Sequence, residues 1–270
     1  MRCIFCAEDS AGSKSREHIL PESLGNVDHW LAPGVVCDRC NNYFARKVEG
    51  PLLNSDFFIH LRHRQEVRNK RGLPIPVKAV FPAARMAVAL YQTEDGLSVE
   101  PWRPEDKDRL LQALSSISSG QFYVVVPDPP DTRLLSRFAA KVGVEVLADR
   151  LLREGFTTDQ VLDVSELAAI RRFARQGDQP AEWPIHQRRI YDENALFDAE
   201  AYQVLHGFTI LATPANEYYA VVCLFGEELA INLGGPTTEG YVEYLEANDH
   251  RSPLYEPGEL ETILRKDVSR

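Results

Sequence analysis

Three stretches decide how this chain is read: Cys3-Ile4-Phe5-Cys6, then Arg16-Glu17-His18-Ile19-Leu20-Pro21-Glu22-Ser23-Leu24-Gly25-Asn26, then Cys37-Asp38-Arg39-Cys40-Asn41-Asn42. Each Cys-x-x-Cys turn presents two thiolates to one ion, and zinc takes four soft ligands in a tetrahedron. The spacing therefore assigns Cys3, Cys6, Cys37 and Cys40 to one structural zinc. A unit of about 55 residues has little apolar core of its own, so a metal staple makes physical sense. Between the pairs, Arg16–Leu20 reads as a short strand and Pro21–Asn26 as turn chemistry. Trp30–Val36 reads as a second extended stretch, broken by Pro33-Gly34. From Cys40 to Glu49 the period becomes helical, with Phe44 and Val48 four apart, and Gly50-Pro51 reads as a stop.

The acid-His-Ile-x-Pro-x-Ser-Leu-Gly stretch, set between two cysteine pairs and followed by Cys-x-x-Cys-Asn at a helix start, resembles the HNH endonuclease family. The matching members bracket a ββα-metal motif with two Cys-x-x-Cys pairs. The resemblance covers about residues 1–55. It implies that His18 is the general base of phosphodiester hydrolysis, and that Glu17 and Asn41 are ligands of a catalytic metal. Carboxylate and amide oxygens with open positions suit magnesium or manganese. A neutral imidazole can activate water near pH 7. Asn41 is favoured over Asn42 because it lies three before Phe44 and seven before Val48, on the face turned toward the hairpin; Asn42 lines up with Ala45 and Glu49. The family's loop asparagine, which orients the base, has Asn26 as its only counterpart here. Adjacent residues of a regular strand face opposite sides, so the strand must end or twist for Glu17 and His18 to share a site.

The rest of the chain reads as α+β. The expected organisation is a zinc-bound module at residues 1–57, a basic connector at 58–76 and an α+β domain of unassigned role at 77–270. Phe58–Arg71 holds five Lys and Arg against Glu66; it is either a solvated helix face or a set of phosphate contacts, with Arg62, Arg64 and Arg68 the candidates for DNA. His60 and His63 are expected on a solvated face, and Arg171, Arg172, Arg175, Arg188 and Arg189 as surface charge. Arg85–Gln92 and Leu97–Trp102 flank Asp95-Gly96 as a hairpin, and Phe122–Val126 is a β-branched run. Helices are expected at Asp106–Ile117, Thr132–Leu152 (Asp131 as N-cap) and Asp163–Arg175. Val204–Ala212, Glu217–Phe225 and Leu229–Leu233 should form an antiparallel meander. Cys223 reads as a buried core thiol.

The net charge of −10 disfavours a polyanion as partner, yet the first 72 residues carry 11 Lys+Arg against 9 Asp+Glu, so the acidity lies beyond them. No apolar run is long enough to span a bilayer and none resembles a signal peptide, which points to a cytoplasmic protein. The leading expectation is a metal-dependent endonuclease acting on DNA, in defence or restriction. The C-terminal region would then supply regulation, target choice, homodimerisation or a partner protein. The alternatives are a zinc-stapled nucleic-acid-binding module, or a protein-interaction module, without cleavage.

Overall fold

Strand β1 (Glu17–His18) pairs antiparallel with β2 (Trp30–Leu31), with Glu17 opposite Leu31 and His18 opposite Trp30. Both strands are shorter than the extended stretches anticipated: a 3-10 turn at Glu22–Leu24 carries the chain away soon after β1, and the turn at Pro33-Gly34 ends β2. Helix α1 (Asp38–Phe44) starts at Cys37, whose sulfur accepts from the Cys40 N–H. The helix does not stop at Gly50-Pro51. A wider turn at Ala45–Glu49, in which the Gly50 N–H reaches Ala45 O, leads into α2 (Gly50–Leu53). That turn accommodates Pro51, whose ring would meet the carbonyl four residues back in a regular α-helix. Gly50 is required there, since a Cβ would sit 2.8 Å from Ala45 O. Helix α3 (Asp56–Arg64) follows.

The computed structural model describes residues 1–69, 71–93, 96–117, 119–191 and 206–259. Lys70 of the basic run, Asp95 of the hairpin turn and Val204-Leu205 at the start of the meander lie outside the described residues. Strands β3 (Val77–Phe81), β4 (Met86–Thr93) and β5 (Gly96–Pro101), helix α4 (Lys107–Ser115) and strand β6 (Tyr123–Val124) come next. They form an antiparallel sheet of order β5-β4-β3-β6 with its own core, built on Val77, Phe81, Val88, Leu90 and Leu110.

Helix α5 (Thr132–Arg153) is capped by Asp131, whose carboxylate accepts from the Leu134 N–H as anticipated. Helices α6 (Thr158–Asp163) and α7 (Leu167–Gln176) follow, then strands β7 (His186–Arg189), β8 (His206–Ala212), β9 (Tyr218–Leu224) and β10 (Glu227–Asn232), and helix α8 (Glu239–Ala247). The meander β8-β9-β10 is present, and β7 joins its β10 edge. One sheet face packs on α5 through Ala220, Val222, Leu229 and Ile231; the other meets Tyr241 and Leu245 of α8. Burial on both faces explains why β9 reads as an unbroken apolar run. Gly143 lets α5 lie close to the sheet, since a Cβ there would come within 2.7 Å of the Ala220 Cβ.

The cores do not follow the expected division. Cys3, Ile4, Leu20, Phe44, Val48 and Leu52 of the cysteine-bracketed segment share one apolar core with Phe138, Val142, Ile170, Phe173 and Val222. Phe58 and Leu61 of the expected connector belong to it as well, whereas the β3–β6 sheet stands on a separate core. The segment at 1–57 has too little apolar surface to close on itself, and α5 and α7 complete it.

Candidate functional site

Cys3, Cys37 and Cys40 are buried and Cys6 is half-buried, with all four sulfurs within 4.8 Å of one another. A zinc tetrahedron with Zn–S bonds of about 2.3 Å has sulfurs about 3.8 Å apart, and Cys6 Sγ lies 3.6 Å from Cys37 Sγ. Backbone N–H groups already face the sulfurs: Cys37 N donates to Cys3 Sγ at 3.3 Å and Cys40 N to Cys37 Sγ at 3.4 Å. A hydrogen bond from Cys40 holds the Cys3 thiol down at about 4, and the same contact, with burial, pushes Cys40 up. Four converging sulfurs, one of them already favoured as thiolate, fit a zinc ion.

Beside this cluster lies a cavity of about 570 Å³, lined by Arg16, Glu17, His18, Asn41, Ala45, Glu49, Asn54 and Arg62 among others. All three residues expected to carry the chemistry therefore line one space. The Asn41 amide donates from Nδ2 to Arg16 O at 3.1 Å, which ties α1 to the start of β1 and leaves Oδ1 for another partner. The Asp38 carboxylate adds a second tie, accepting from the Ser15 N–H at 2.9 Å and the Ser15 hydroxyl at 2.5 Å. Asn42 is exposed. The face that reaches the cavity is Asn41, Ala45 and Glu49, while Phe44 and Val48 point into the core, so Asn41 sits at the border of the two faces.

His18 is half-buried, and its Nδ1 is enclosed without a hydrogen-bond partner. Asn26 does not reach the imidazole. It is 2 % exposed and clasps the β1–β2 loop: Nδ2 donates to Leu20 O at 2.6 Å and His29 O at 2.9 Å. Its Oδ1 accepts from the N–H groups of Asp28 at 3.1 Å and His29 at 3.0 Å. Its reach to the base is thus through the backbone alone.

Glu17 is 4 % exposed, and its Oε1 lies 2.7 Å from Lys141 Nζ on α5. The same ammonium lies 2.8 Å from Glu49 Oε1 and 3.0 Å from Glu145 Oε2, and it donates to His18 O at 2.8 Å. Burial would lower the lysine's pKa, but Glu145, Glu17 and Glu49 outweigh it and hold the ammonium charged. Burial pushes Glu17 and Glu145 up, against the pull of Lys141. Lys141, Glu49 and Glu145 were missed in the sequence, where Lys141 and Glu145 make an ordinary i,i+4 pair of the kind that usually decorates a solvated helix face. The one signal was their place in a helix otherwise apolar on several sides, with Ala139, Ala140, Val142 and Val144 around them.

Glu17 Oε2 is buried and has no hydrogen-bond partner. That orphaned oxygen, with the uncommitted Asn41 Oδ1 in the same cavity, fits a hard divalent ion. The basic run is a different matter. Arg62 is 8 % exposed, and its guanidinium donates to Leu53 O at 2.8 Å and Phe58 O at 3.3 Å. These contacts buttress α3, and Arg62 also lines the cavity; Arg64 and Arg68 are half-buried, Arg68 donating to Gly72 O at 2.9 Å. His63 is half-buried rather than solvated, its Nδ1 2.8 Å from Ile75 O. The expected surface charges also have inward roles: Arg171 donates to Leu167 O and Leu162 O, and Arg188 pairs with the buried Glu228.

No helix among the described residues is long and apolar enough to cross a membrane. Comparison with curated proteins and with solved structures gives no match. Residues 3–57, the span that holds both cysteine pairs, Glu17, His18 and Asn41, match the model of the HNH endonuclease family.

Proposed function

We propose that the protein is a metal-dependent endonuclease that hydrolyses phosphodiester bonds in DNA. The observation that carries this reading is the convergence of Glu17, His18 and Asn41 on one cavity within the segment that matches the family model. His18, which lines the cavity, would take the proton of an attacking water. Glu17 Oε2 and Asn41 Oδ1 would hold a magnesium or manganese ion, which supplies charge stabilisation at the phosphate and leaving oxygen. The four cysteines hold the hairpin and α1 in register, and Asn26 fixes the loop behind the base. In this reading the chain serves defence or restriction in the cytoplasm.

The test is cleavage of supercoiled, linear and single-stranded DNA by the zinc-loaded chain, with magnesium or manganese and with or without a chelator. Cleavage that the chelator abolishes and His18→Ala reduces is the expected result. A zinc-stapled module that binds nucleic acid without cutting is favoured by one observation, the engagement of the Glu17 carboxylate by Lys141. DNA binding with a steep salt slope but no cleavage under any metal would select it.

A further inference from the structure

Helix α5 reaches about 120 residues along the chain to place one charged group inside the candidate centre. The Lys141 ammonium is fully buried, among Glu17 Oε1 at 2.7 Å, Glu49 Oε1 at 2.8 Å, Glu145 Oε2 at 3.0 Å and His18 O at 2.8 Å, with Ile19 O at 3.5 Å. Two of these carboxylates, Glu17 and Glu49, line the cavity, whereas Glu145 does not. The two carbonyls belong to the strand that carries His18 and the residue after it. A buried ammonium held only for stability is poorly motivated, since taking such charges out of water costs about as much as their attraction returns.

We infer that Lys141 is a positioning residue of the nuclease centre. Resting on the function proposed above, this makes helix α5 a part of the site. The ammonium fixes one oxygen of Glu17, so that the other is presented to the cavity. It turns Glu49 toward the same space and anchors the backbone of the base and of the residue after it. The oxygens that orient a metal ligand from behind matter nearly as much as the ligand itself. The segment at 1–57 therefore holds the reacting groups, but their arrangement is set from residue 141.

The test uses the full-length, zinc-loaded chain. Lys141→Met alone would leave three buried carboxylates without a counter-charge and could fail to fold. Lys141→Met combined with Glu145→Gln removes one formally positive and one formally negative group together, so the formal charge of the cage is unchanged. Two readouts are taken: manganese affinity by calorimetry in the absence of DNA, and kcat and KM for plasmid cleavage. The expected result is manganese binding weakened by at least ~10-fold and kcat lowered by at least ~10-fold, with zinc content and KM for DNA as in the wild type. Wild-type manganese affinity and kcat in the double variant would overturn the inference and leave the cage as a folding element. If the double variant does not fold, Lys141→Arg, which keeps the charge but cannot reproduce a point contact to the same oxygens, is put through the same two readouts against the same criteria. A wild-type chain that neither binds manganese nor cuts DNA removes the parent reading, and the inference with it.

Discussion

Replacing Asn26 by alanine removes four hydrogen bonds from a side chain that is 2 % exposed: two donated to Leu20 O and His29 O, two accepted from Asp28 N and His29 N. At roughly 1 kcal/mol net each, the loss is about 4 kcal/mol. It falls at the higher end of the range if water cannot reach the orphaned groups, and Leu20, next to the clasp, is buried. For a chain of this size, 1 kcal/mol moves the midpoint by roughly 2–4 °C, so Asn26→Ala should melt roughly 8–16 °C below the wild type. The loop joins the two strands that carry and face His18, so cleavage should fall as well, even at temperatures where the variant is folded. Asn26→Asp is the sharper control. It keeps the two accepted bonds but sets a carboxylate against two carbonyl oxygens, and should be no more stable than the alanine variant. Calorimetric melting of both variants, with cleavage assayed well below either midpoint, reads the outcome. A midpoint within 2–3 °C of wild type (a loss under about 1 kcal/mol) would show that the loop does not depend on this clasp.

His18→Ala should keep zinc content, melting and DNA affinity while lowering cleavage by at least ~100-fold; unchanged cleavage would remove its role as base. Asn41→Ala should weaken the response to manganese, and high manganese should recover part of the lost rate, a recovery not expected for His18→Ala. Elemental analysis should find about one zinc per chain. Because Cys3, Cys37 and Cys40 sit in the core that α5 and α7 complete, Cys3→Ser should destabilise those helices too, and a main melting transition that stays put would contradict this. Arg62→Ala should lower stability by about 2 kcal/mol through its lost carbonyl contacts and leave the salt slope of DNA binding unchanged; a slope reduced by about one unit would return Arg62 to phosphate binding.

Local chemistry settled much of this protein from its sequence. Two Cys-x-x-Cys turns can converge on one ion whatever surrounds them, and the structure brings their sulfurs together. The Asp131 cap, the α5 helix and the β8–β10 meander are likewise written in side-chain periodicity and turn residues that act over a few positions. Helical spacing grouped Asn41 with Phe44 and Val48, which point into the core, whereas the cavity is lined by Asn41, Ala45 and Glu49; the wider turn at Ala45–Glu49, which no local period announces, decides which neighbours share that face. That the apolar core runs past residue 57 was not legible, because a core is a matter of which surfaces meet, and Phe44 and Phe138 become partners only when the chain folds back on itself. Arg62 looked like the other arginines of its run for the same reason: a guanidinium that caps carbonyls and one that meets phosphate are the same letter. Lys141 is the clearest case. Its i,i+4 spacing to Glu145 fits a solvated helix as well as a buried one, and only the packing of α5 against β1 makes it the cation that Glu17, Glu49 and the backbone of His18 share.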